Sequence, residues 1–413
     1  MREIQDIVAA FEKVKSGGKT AALATLVKAQ GSTYRRPGAR MLMTSQGELV
    51  GSLSGGCLEG DVFEQAQSVM ISGKPIVVQY DTMSDDDIIW GLGLGCNGIV
   101  QILIERVEEE SPLTQILHHP PNPPYQGGNS DSELPSPLSK GGLLAKRHEV
   151  RGVNHLAFLS NCFHQRQSGV LATVFYVEGQ VQAEVGTRLM VHPDRTIKSN
   201  IEDAGLVAQI RDDAWKALND NRSTVKTYPL AAGKAEVFIE VIQPPVPLMI
   251  FGAGHDANPL VRLAQELGWY VTIIDNRQAD GTRERFPSAD EVILCRPENI
   301  CESVLLDDRT MAVVMTHNYL HDLEILKTLL PSPVRYLGIL GPKSRTEKLF
   351  QDLQEQGITP TENQLKRLYS PVGLDIGADT PEEIALSIVA EIQAVLTNRS
   401  GGSLRNKLGP IHD

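Results

Sequence analysis

The sequence predicts an α/β protein in which an N-terminal α/β domain with an internal duplication is followed by a C-terminal Rossmann-like domain built on a parallel sheet. Two observations predict this arrangement. A segment near the start of the chain recurs without a gap 148 residues later, and predicted strands alternate with predicted helices after residue 247. Such alternation is typical of parallel sheets. A length of 413 residues also exceeds one ordinary core and indicates two or three domains.

The duplication is visible as matching residues in two copies, at about 20–107 and 168–242. The recurring residues are Leu23-Ala24-Thr25 (Leu171-Ala172-Thr173), Gly38 (Gly186) and Arg40 (Arg188). The residues that the second copy replaces are Arg35-Arg36 (Ala183-Glu184) and Ser54-Gly55-Gly56-Cys57 (Glu202-Asp203-Ala204-Gly205). We expect the recurring residues to serve the fold and the residues unique to the first copy to serve its chemistry.

Within the N-terminal domain, residues 1–243, each element follows from its local pattern. Apolar spacing predicts a helix at 3–16, which Gly17-Gly18 ends. Further patterns predict strands at 20–29, 39–45, 48–53, 75–81 and 98–107, and a helix at 58–71. The segment from about 119 to 142 is so rich in Pro, Gly and Ser that we expect a disordered insertion there.

The C-terminal domain, residues 244–413, opens with a proline-rich linker and a nucleotide-type βαβ pattern. A buried strand at 248–251 leads into the turn Gly252-Ala253-Gly254, a helix at 257–267 and a strand ending at Asp275. Gly252 permits a tight turn, Gly254 lets backbone N–H groups approach a phosphate, and Asp275 can bind a ribose hydroxyl. His255 and Asp256, however, stand where a pyrophosphate-binding loop usually has small residues.

Further strands are predicted at 291–294, 311–315 and 335–341, with a final helix at 381–397 that Thr380-Pro381 opens. Ligands of parallel sheets collect beyond the carboxyl ends of the strands. The residues predicted at these ends are Gly254, Asp275, His317, Gly341 and Lys343.

Charge and composition narrow the function classes. A net charge of −12 argues against extended contact with nucleic acid or an anionic membrane surface, and no apolar run is long enough to cross a membrane. The N-terminus has no basic and apolar signal pattern, and the five cysteines form no paired framework. We therefore expect a cytoplasmic protein that holds anionic ligands with local groups.

Two cysteines are candidate reactive groups. Cys57 follows Ser54, Gly55 and Gly56 and directly precedes a helix, whose dipole and free N–H groups stabilise a thiolate, although Glu59 and Asp61 oppose part of that effect. Cys96 lies in a second glycine-rich loop. Cys162, Cys295 and Cys301 are expected in the core.

Charged residues supply two further candidate groups. Arg35 and Arg36 suit an anion site, since arginine grips phosphate with two N–H groups. His317 and His321 lie four residues apart, and we favour polar contacts or helix capping over a metal site for them.

The motifs taken together resemble those of the xanthine dehydrogenase accessory family, the XdhC/CoxI maturation factors. In the first copy the matching segments are 31–40 (Gly-Ser-Thr-Tyr-Arg-Arg-Pro-Gly-Ala-Arg), 54–59 (Ser-Gly-Gly-Cys-Leu-Glu) and 93–96 (Gly-Leu-Gly-Cys). In the C-terminal domain they are 251–255, 316–317, 337–341 and 371–378. Asn97 interrupts the Cys-Gly-Gly that the family usually has, and the insertion at 119–142 lies outside its pattern.

The resemblance implies an accessory factor rather than a turnover enzyme. Such a factor binds molybdenum cofactor (molybdopterin) as cargo, protects it, supports exchange of an oxo for a sulfido ligand, and inserts it into a molybdenum hydroxylase such as xanthine dehydrogenase. By the same resemblance Cys57 is the candidate molybdenum or sulfur contact. A cysteine desulfurase and a second copy of the chain, in a homodimer, are further expected partners.

Two other functions stay open at this point. An NAD(P)-dependent oxidoreductase would use Asp275 on the ribose and His317 as acid or base, and a dinucleotide-sensing regulator would bind without turnover. For the cofactor chaperone, we expect Cys57 and the Gly252–Gly254 turn to face one cleft. A distance beyond about 11 Å, two helix turns, would contradict that arrangement.

Overall fold

The computed structural model describes residues 2–16, 19–81, 98–107, 155–276 and 282–408. Three sheets organise these residues: two antiparallel five-stranded sheets and one parallel six-stranded sheet. The predicted mixed α/β class with a C-terminal parallel sheet is thus confirmed. The predicted insertion at 119–142 and Cys96 lie outside the described residues.

The first sheet has the strand order β3-β2-β1-β5-β4. Its strands are β1 (Ala21–Gly31), β2 (Arg40–Thr44), β3 (Leu49–Gly51), β4 (Ile76–Asp81) and β5 (Gly98–Val107). Helix α1 (Arg2–Ser16) precedes it, and helix α2 (Glu59–Ser72) connects β3 to β4. Each predicted end of these strands and helices differs from the observed end by no more than two residues. The predicted β3, for example, extends two residues beyond Gly51.

The second sheet has the same order, β8-β7-β6-β10-β9. Its strands are β6 (Gly169–Gly179), β7 (Arg188–Val191), β8 (Ile197–Ser199), β9 (Thr224–Leu230) and β10 (Gly233–Ile242), with helices α3 (His155–His164) and α4 (Ala204–Asp220). The register repeats as well: Thr25 pairs with Arg40 in the first sheet, and Thr173 pairs with Arg188 in the second. The two copies therefore share topology and register.

Each antiparallel sheet has one face covered by its own helix. Helix α2 buries Val62, Ala66, Val69 and Met70, which recur at helical spacing, against the first sheet. Helix α4 buries Leu206, Ile210, Ala214 and Ala217 in the same way against the second. Helices α1 and α3 share a further core with strands from both sheets. The face of each antiparallel sheet that lies opposite its helix packs against the same face of the other sheet.

The two sheets meet through a reciprocal set of residues. Val27 and Leu103 of the first copy pack against Phe175 and Phe238 of the second. Beside this apolar cluster, Arg40 of the first copy binds Glu240 of the second, and Arg188 of the second binds Glu105 of the first.

Both arginines are held in the same way by their own copy. The Nη1 group of Arg40 donates to the carbonyl of Gly38 at 2.9 Å, and that of Arg188 donates to the carbonyl of Gly186 at 2.7 Å. Burial opposes the charge of Arg40, but Glu240 outweighs this and the pKa of Arg40 is raised. All four ionised side chains are buried, so each depends on its partner in the other copy.

The third sheet has the order β13-β12-β11-β14-β15-β16, and all its strands run parallel. The strands are β11 (Pro247–Phe251), β12 (Tyr270–Asp275), β13 (Glu291–Leu294), β14 (Met311–Val314), β15 (Tyr336–Ile339) and β16 (Leu368–Tyr369). Its apolar strands are buried on both faces, as such sheets require.

Helices cover both faces of the parallel sheet. One face is covered by α5 (Ala257–Glu266) and α11 (Pro381–Leu396), and the other by α7 (Ile300–Ser303), α8 (Tyr319–Leu329) and α9 (Lys343–Glu355). Two short helices, α6 (Thr282–Arg285) and α10 (Glu362–Lys366), lie in connections. Within the described residues, none of these helices has the length and hydrophobicity needed to span a membrane.

We expect Arg40→Leu to lower the free energy of unfolding by about 3–5 kcal/mol, because it leaves the Glu240 carboxylate buried without its cation. The double change Arg40→Leu with Glu240→Leu should recover a large part of that loss, since neither charge remains. Urea unfolding followed by circular dichroism measures both. Arg211→Leu, which removes an exposed ion pair with Asp212, is the control and should change little. An equal loss in the single and double variants would contradict the pairing argument.

His155 predicts a pH dependence of stability. Burial, with Arg188 and Arg40 nearby, lowers the pKa of this imidazole well below its ordinary value of 6.5. The unfolded chain therefore binds a proton that the folded chain does not, and stability should fall as the pH drops below about 6.5. His155→Ile, which replaces the imidazole with an apolar side chain that cannot bind a proton, should remove that part of the pH dependence.

Melting temperatures of the two proteins between pH 5 and 8 test this prediction. His164→Gln, at the exposed end of the same helix, is the matched control. Parallel curves for wild type and His155→Ile would refute it.

Candidate functional site

Cys57 lies in the loop between β3 and α2, and its side chain is exposed. Gly55 and Gly56 precede it with φ values of +80° and +116°, in the left-handed region that favours glycine. A Cβ atom on Gly55 would also lie 2.8 Å from the ring of Tyr34. The two glycines therefore let the loop turn beneath Tyr34 and present the thiol at the start of a helix.

The Glu59 carboxylate holds this loop together. It accepts six hydrogen bonds, from the hydroxyls of Ser52 and Ser54 and from the backbone N–H groups of Leu53, Ser54, Gly56 and Leu58. Burial raises the pKa of Glu59, but the Ser54 hydroxyl and the backbone donors outweigh it and lower this pKa to about 2.

The predicted role of Glu59, as a charge opposing a Cys57 thiolate, therefore leaves out its main contacts. The signal that could have revealed them is the run of glycines and serines just ahead of an acid in the first helical turn, since such a turn directs several N–H groups inward.

The second copy replaces this arrangement with an ordinary helix start. There Asp203 caps α4, and its side chain accepts from the backbone N–H of Leu206 at 2.9 Å. In the first copy the capping position is Leu58, whose side chain cannot accept a hydrogen bond from the helix. The Ser54 hydroxyl accepts from the backbone N–H of Leu58 at 2.8 Å instead. The first copy thus has a more elaborate loop where the thiol is exposed.

A small cavity of about 40 Å³ adjoins Cys57. Its lining combines apolar residues with the polar segment of the preceding turn: Leu26, Ser32, Thr33, Tyr34, Arg35, Leu53, Ser54, Cys57, Leu58, Gly98 and Val100. The enclosed part of this cavity admits a small group, such as one end of a larger ligand.

The two predicted arginines have different environments. The Nη2 group of Arg35 donates to the Glu3 carboxylate of α1 at 2.8 Å, so one side of the guanidinium is already used. Arg36 is exposed, and its side chain has no hydrogen bond or ion pair with any other described residue. Arg36 is therefore the cation of this turn that an anion can reach.

The predicted ligand residues of the parallel sheet lie at the carboxyl ends of its strands. Gly252, with φ +124°, comes directly after β11 and packs against Met315, which directly follows the neighbouring strand β14. A Cβ atom on Gly252 would be 2.5 Å from the Met315 carbonyl oxygen. Asp275 ends β12 and is buried, and Gly341 follows β15 with φ +126°. His255 is exposed in the turn before α5.

Asp256 changes what the glycine turn can bind. Its carboxylate lies over Gly254, where an added Cβ atom would be 2.3 Å from Oδ1, and Oδ2 is 2.7 Å from Nε2 of His317. His317 has φ +58°, which brings its ring back toward α5. A pyrophosphate would need the same space, and the same positive end of the helix dipole, that this carboxylate already uses at the helix N-terminus.

His317 and His321 have separate partners. His321 contacts the side-chain amide of Asn276, with Nε2 3.0 Å from Nδ2. His321 and Asn276 line a small cavity that also includes Asp275, Thr316 and Cys295, and His317 is not part of its lining. The described residues contain no cluster of three or more His, Cys, Asp or Glu suited to a metal ion.

The sequence predicts three cysteines in the core, and the structure differs for one of them. Cys162 is buried and burial raises the pKa of its thiol to about 12, and Cys295 is half-buried. Cys301, in contrast, is exposed on the short helix α7, so that prediction is wrong. Four residues of helix cannot bury all sides, and the pattern around Cys301 does not indicate which side faces water.

The Cys57 cavity is lined by first-copy residues, whereas the Asp275 cavity is lined by residues of the parallel-sheet domain. The two share no lining residue. A single cleft that contains both Cys57 and the Gly252–Gly254 turn therefore stays a prediction.

Comparison with known proteins supplies a context for this site. A family model described as the XdhC and CoxI family matches residues 15–81 and 162–229, one stretch in each copy, and a model described as the XdhC Rossmann domain matches residues 248–392. A crystal structure of a xanthine dehydrogenase from Bacillus halodurans superposes with a TM-score of 0.69 and 30% identity, covering 96% of this chain and 98% of the other.

Two relatives cover nearly the whole chain. A Bacillus subtilis protein, named as a probable subunit of xanthine dehydrogenase, is 32% identical over 374 residues, which is 90% of this chain and 92% of the relative. The molybdenum cofactor insertion chaperone PaoD of Escherichia coli is 32% identical over 379 residues, 92% of this chain and 84% of the relative.

We expect Glu59→Gln to loosen the Cys57 loop, because an amide cannot replace a carboxylate that accepts six hydrogen bonds, and bonds to a charged group are the strong ones. Hydrogen exchange should accelerate by about 10-fold or more at the backbone amides of residues 53–58. Asp61→Asn, which changes the other acid of this helical turn, is the matched control, because Asp61 instead accepts from Tyr80. Equal acceleration in both variants would refute this role of Glu59.

Proposed function

Because this chain belongs to the XdhC and CoxI family, we propose that it is a maturation chaperone that binds molybdenum cofactor as cargo. It protects the cofactor, supports its sulfuration and inserts it into a molybdenum hydroxylase of the xanthine dehydrogenase type. The name of the Escherichia coli relative, a cofactor insertion chaperone, supports the cargo, and the Bacillus names support the class of client.

The observation that carries this proposal is the exposed thiol of Cys57 in a loop that the second copy lacks. Molybdenum cofactor has a dithiolene-bound metal, and thiolate is a soft ligand suited to such a centre. The loop holds Cys57 at the N-terminus of α2, next to a cavity that accepts a small group. Cys57 is thus the proposed contact to molybdenum or to the sulfur being installed.

The remaining site residues have supporting roles in this proposal. Ser54, Gly55 and Gly56 shape the loop. Arg35 lines the cavity that adjoins Cys57 and pairs with Glu3, and the exposed Arg36 supplies positive charge in the same turn as Arg35. Cys96 stays a prediction as a second thiol of the site. In the parallel-sheet domain, Gly252, Gly254, His255, Asp275, His317 and Gly341 stay predicted cofactor contacts, of which Gly254 is the one that Asp256 screens from an anion.

A dinucleotide-dependent reaction has weaker support. The Rossmann-like domain has an acid, Asp275, at the place that suits a ribose hydroxyl. The Asp256 carboxylate opposes a pyrophosphate at the adjoining turn, so NAD(P) binding is the second candidate and not the first.

Partners and location extend the proposal beyond the cargo. A client hydroxylase must receive the cofactor, and a cysteine desulfurase is the class of enzyme that can donate the sulfur. We also propose a cytoplasmic location, a homodimer, and a domain boundary at 243/244, which falls in the connection between β10 and β11. Light scattering of the purified chain tests the homodimer.

We expect the wild-type protein, purified without oxygen after coexpression with a cofactor supply, to carry molybdenum and pterin at close to one per chain. Cys57→Ala should lose most of the molybdenum, because the thiol is the proposed contact. Elemental analysis and pterin fluorescence measure both. Cys301→Ala, which removes the other exposed cysteine of the described residues, is the matched control and should retain the cofactor.

The outcomes separate the candidate functions. Wild-type protein without cofactor, under conditions where a known carrier retains it, would refute the chaperone. Tight binding of reduced nicotinamide by that same protein, with or without turnover, would favour the dinucleotide functions instead.

A further inference from the structure

Tyr34 is an exposed aromatic side chain that stands directly beside the Cys57 loop. It lies in the turn between β1 and β2, and it is 63% exposed. Gly55 packs against one side of the ring, where an added Cβ atom would be 2.8 Å from Cε1 and 3.0 Å from Cζ of Tyr34. The fold therefore presents an aromatic ring to solvent at a fixed position next to the thiol loop.

The Tyr34 ring lies between two cavities. The small cavity that adjoins Cys57 and a larger, open cavity of about 440 Å³ share the side chains of Tyr34 and Arg35 in their linings. The volume of the larger cavity is in the range of small-molecule sites, which is roughly 300–1,000 Å³. A ligand with one end at Cys57 can therefore reach the larger cavity by passing along the Tyr34 ring.

The larger cavity suits a neutral group better than a free anion. Glu3 at the start of α1 and Glu240 of the second copy both line it. Glu3 forms an ion pair with Arg35, and Glu240 forms one with Arg40. Arg36 is the remaining charged residue of the lining, so charge of one sign is not concentrated there. A planar ring with polar edges is a ligand of the kind that such a lining accepts.

The Glu3 carboxylate has capacity for further hydrogen bonds. Its Oε1 accepts from the backbone N–H of Arg40 at 3.2 Å, and its Oε2 accepts from Nη2 of Arg35 at 2.8 Å. A carboxylate has about four acceptor positions, so about two remain. The Glu3 side chain is partly exposed and lines the larger cavity, so a donor bound there can reach it.

The pterin part of molybdenum cofactor matches both groups. Its 2-amino-4-oxopyrimidine ring is planar, and planar rings stack on aromatic side chains. One edge of the same ring carries N–H donors at the 2-amino group and at N3, side by side, which fit the acceptor oxygens of a carboxylate. The second copy has Gln182 where the first has Tyr34, so the aromatic ring is specific to the copy that carries Cys57.

We propose that the pterin ring of molybdenum cofactor stacks on Tyr34, with its amino edge toward Glu3 and the metal end of the cofactor toward Cys57. This inference rests on the proposed function and assigns the residues that recognise the organic part of the cargo. Tyr34 thereby has a role that does not depend on molybdenum.

The test is an anaerobic binding titration of the full chain with molybdenum cofactor and with metal-free molybdopterin. Tyr34→Leu keeps an apolar side chain against Gly55 and removes the ring, so it should weaken binding of both ligands by about 10- to 100-fold. Tyr34→Phe keeps the ring and should bind both nearly as well as wild type. Glu3→Gln should weaken binding of both by about 10-fold. Cys57→Ala should weaken binding of the metal-containing form alone.

Tyr176→Leu and Glu12→Gln are the matched controls. Tyr176 is an exposed tyrosine of the second copy, Glu12 is an exposed acid of α1, and neither lines the two cavities. Both variants should behave as wild type toward both ligands. Hydrogen exchange at residues 53–58 should be the same in Tyr34→Leu and wild type, which shows that the thiol loop is intact.

The outcomes separate this proposal from the proposed function. If Tyr34→Leu weakens binding of the metal-containing form alone, the ring acts through the Cys57 loop and the proposal is wrong. Unchanged binding of both ligands by Tyr34→Leu would overturn it as well, and so would wild type that binds the metal-containing form and not metal-free molybdopterin. Wild type that binds neither ligand would instead contradict the proposed function.

Discussion

The structure of the N-terminal domain depends on two buried ion pairs that cross between its copies. Arg40 needs Glu240, and Arg188 needs Glu105, because a buried charge without a partner costs several kcal/mol. Neither copy contains both members of a pair. The sheets must therefore meet face to face in one register, and the apolar cluster around Phe175 and Phe238 forms in the space that this register leaves.

The loops of the candidate site contact Arg40, one of these paired residues. Arg40 holds the Gly38 carbonyl, directly after the turn with Arg35 and Arg36, and its own carbonyl is so close to Gly51 that a Cβ atom there would be 2.3 Å away. The turn with Arg35 and Arg36 therefore ends, and the loop with Cys57 begins, next to this ion pair. The second copy keeps the equivalent arginine and glycine and has an ordinary capped helix in place of the thiol loop, so the residues common to both copies are those that support the fold.

Much of this organisation could be predicted from the sequence because it depends on local pattern. The recurrence of Arg40 as Arg188 and the alternation of strands and helices specify the three sheets. The crossed partners Glu105 and Glu240 could not be predicted, since each lies in a different copy from its arginine. The Asp256–His317 contact joins residues far apart in sequence through a left-handed backbone at His317, which no periodicity encodes. The six contacts of Glu59 likewise require the positive φ angles of Gly55 and Gly56.

The reciprocal pairing has the form of an interface between two identical protomers, in which each partner offers the other the same groups. In this chain the two halves are covalently joined and have diverged, because an exposed thiol loop is present in one half and an ordinary capped helix in the other. A symmetric dimer of single copies would present two equivalent thiol loops. Among the described residues this chain presents one at the start of α2 and an ordinary capped helix at the matching place, so the number of such loops per chain is set by its covalent structure, and the second half is free to change its surface without disturbing the first.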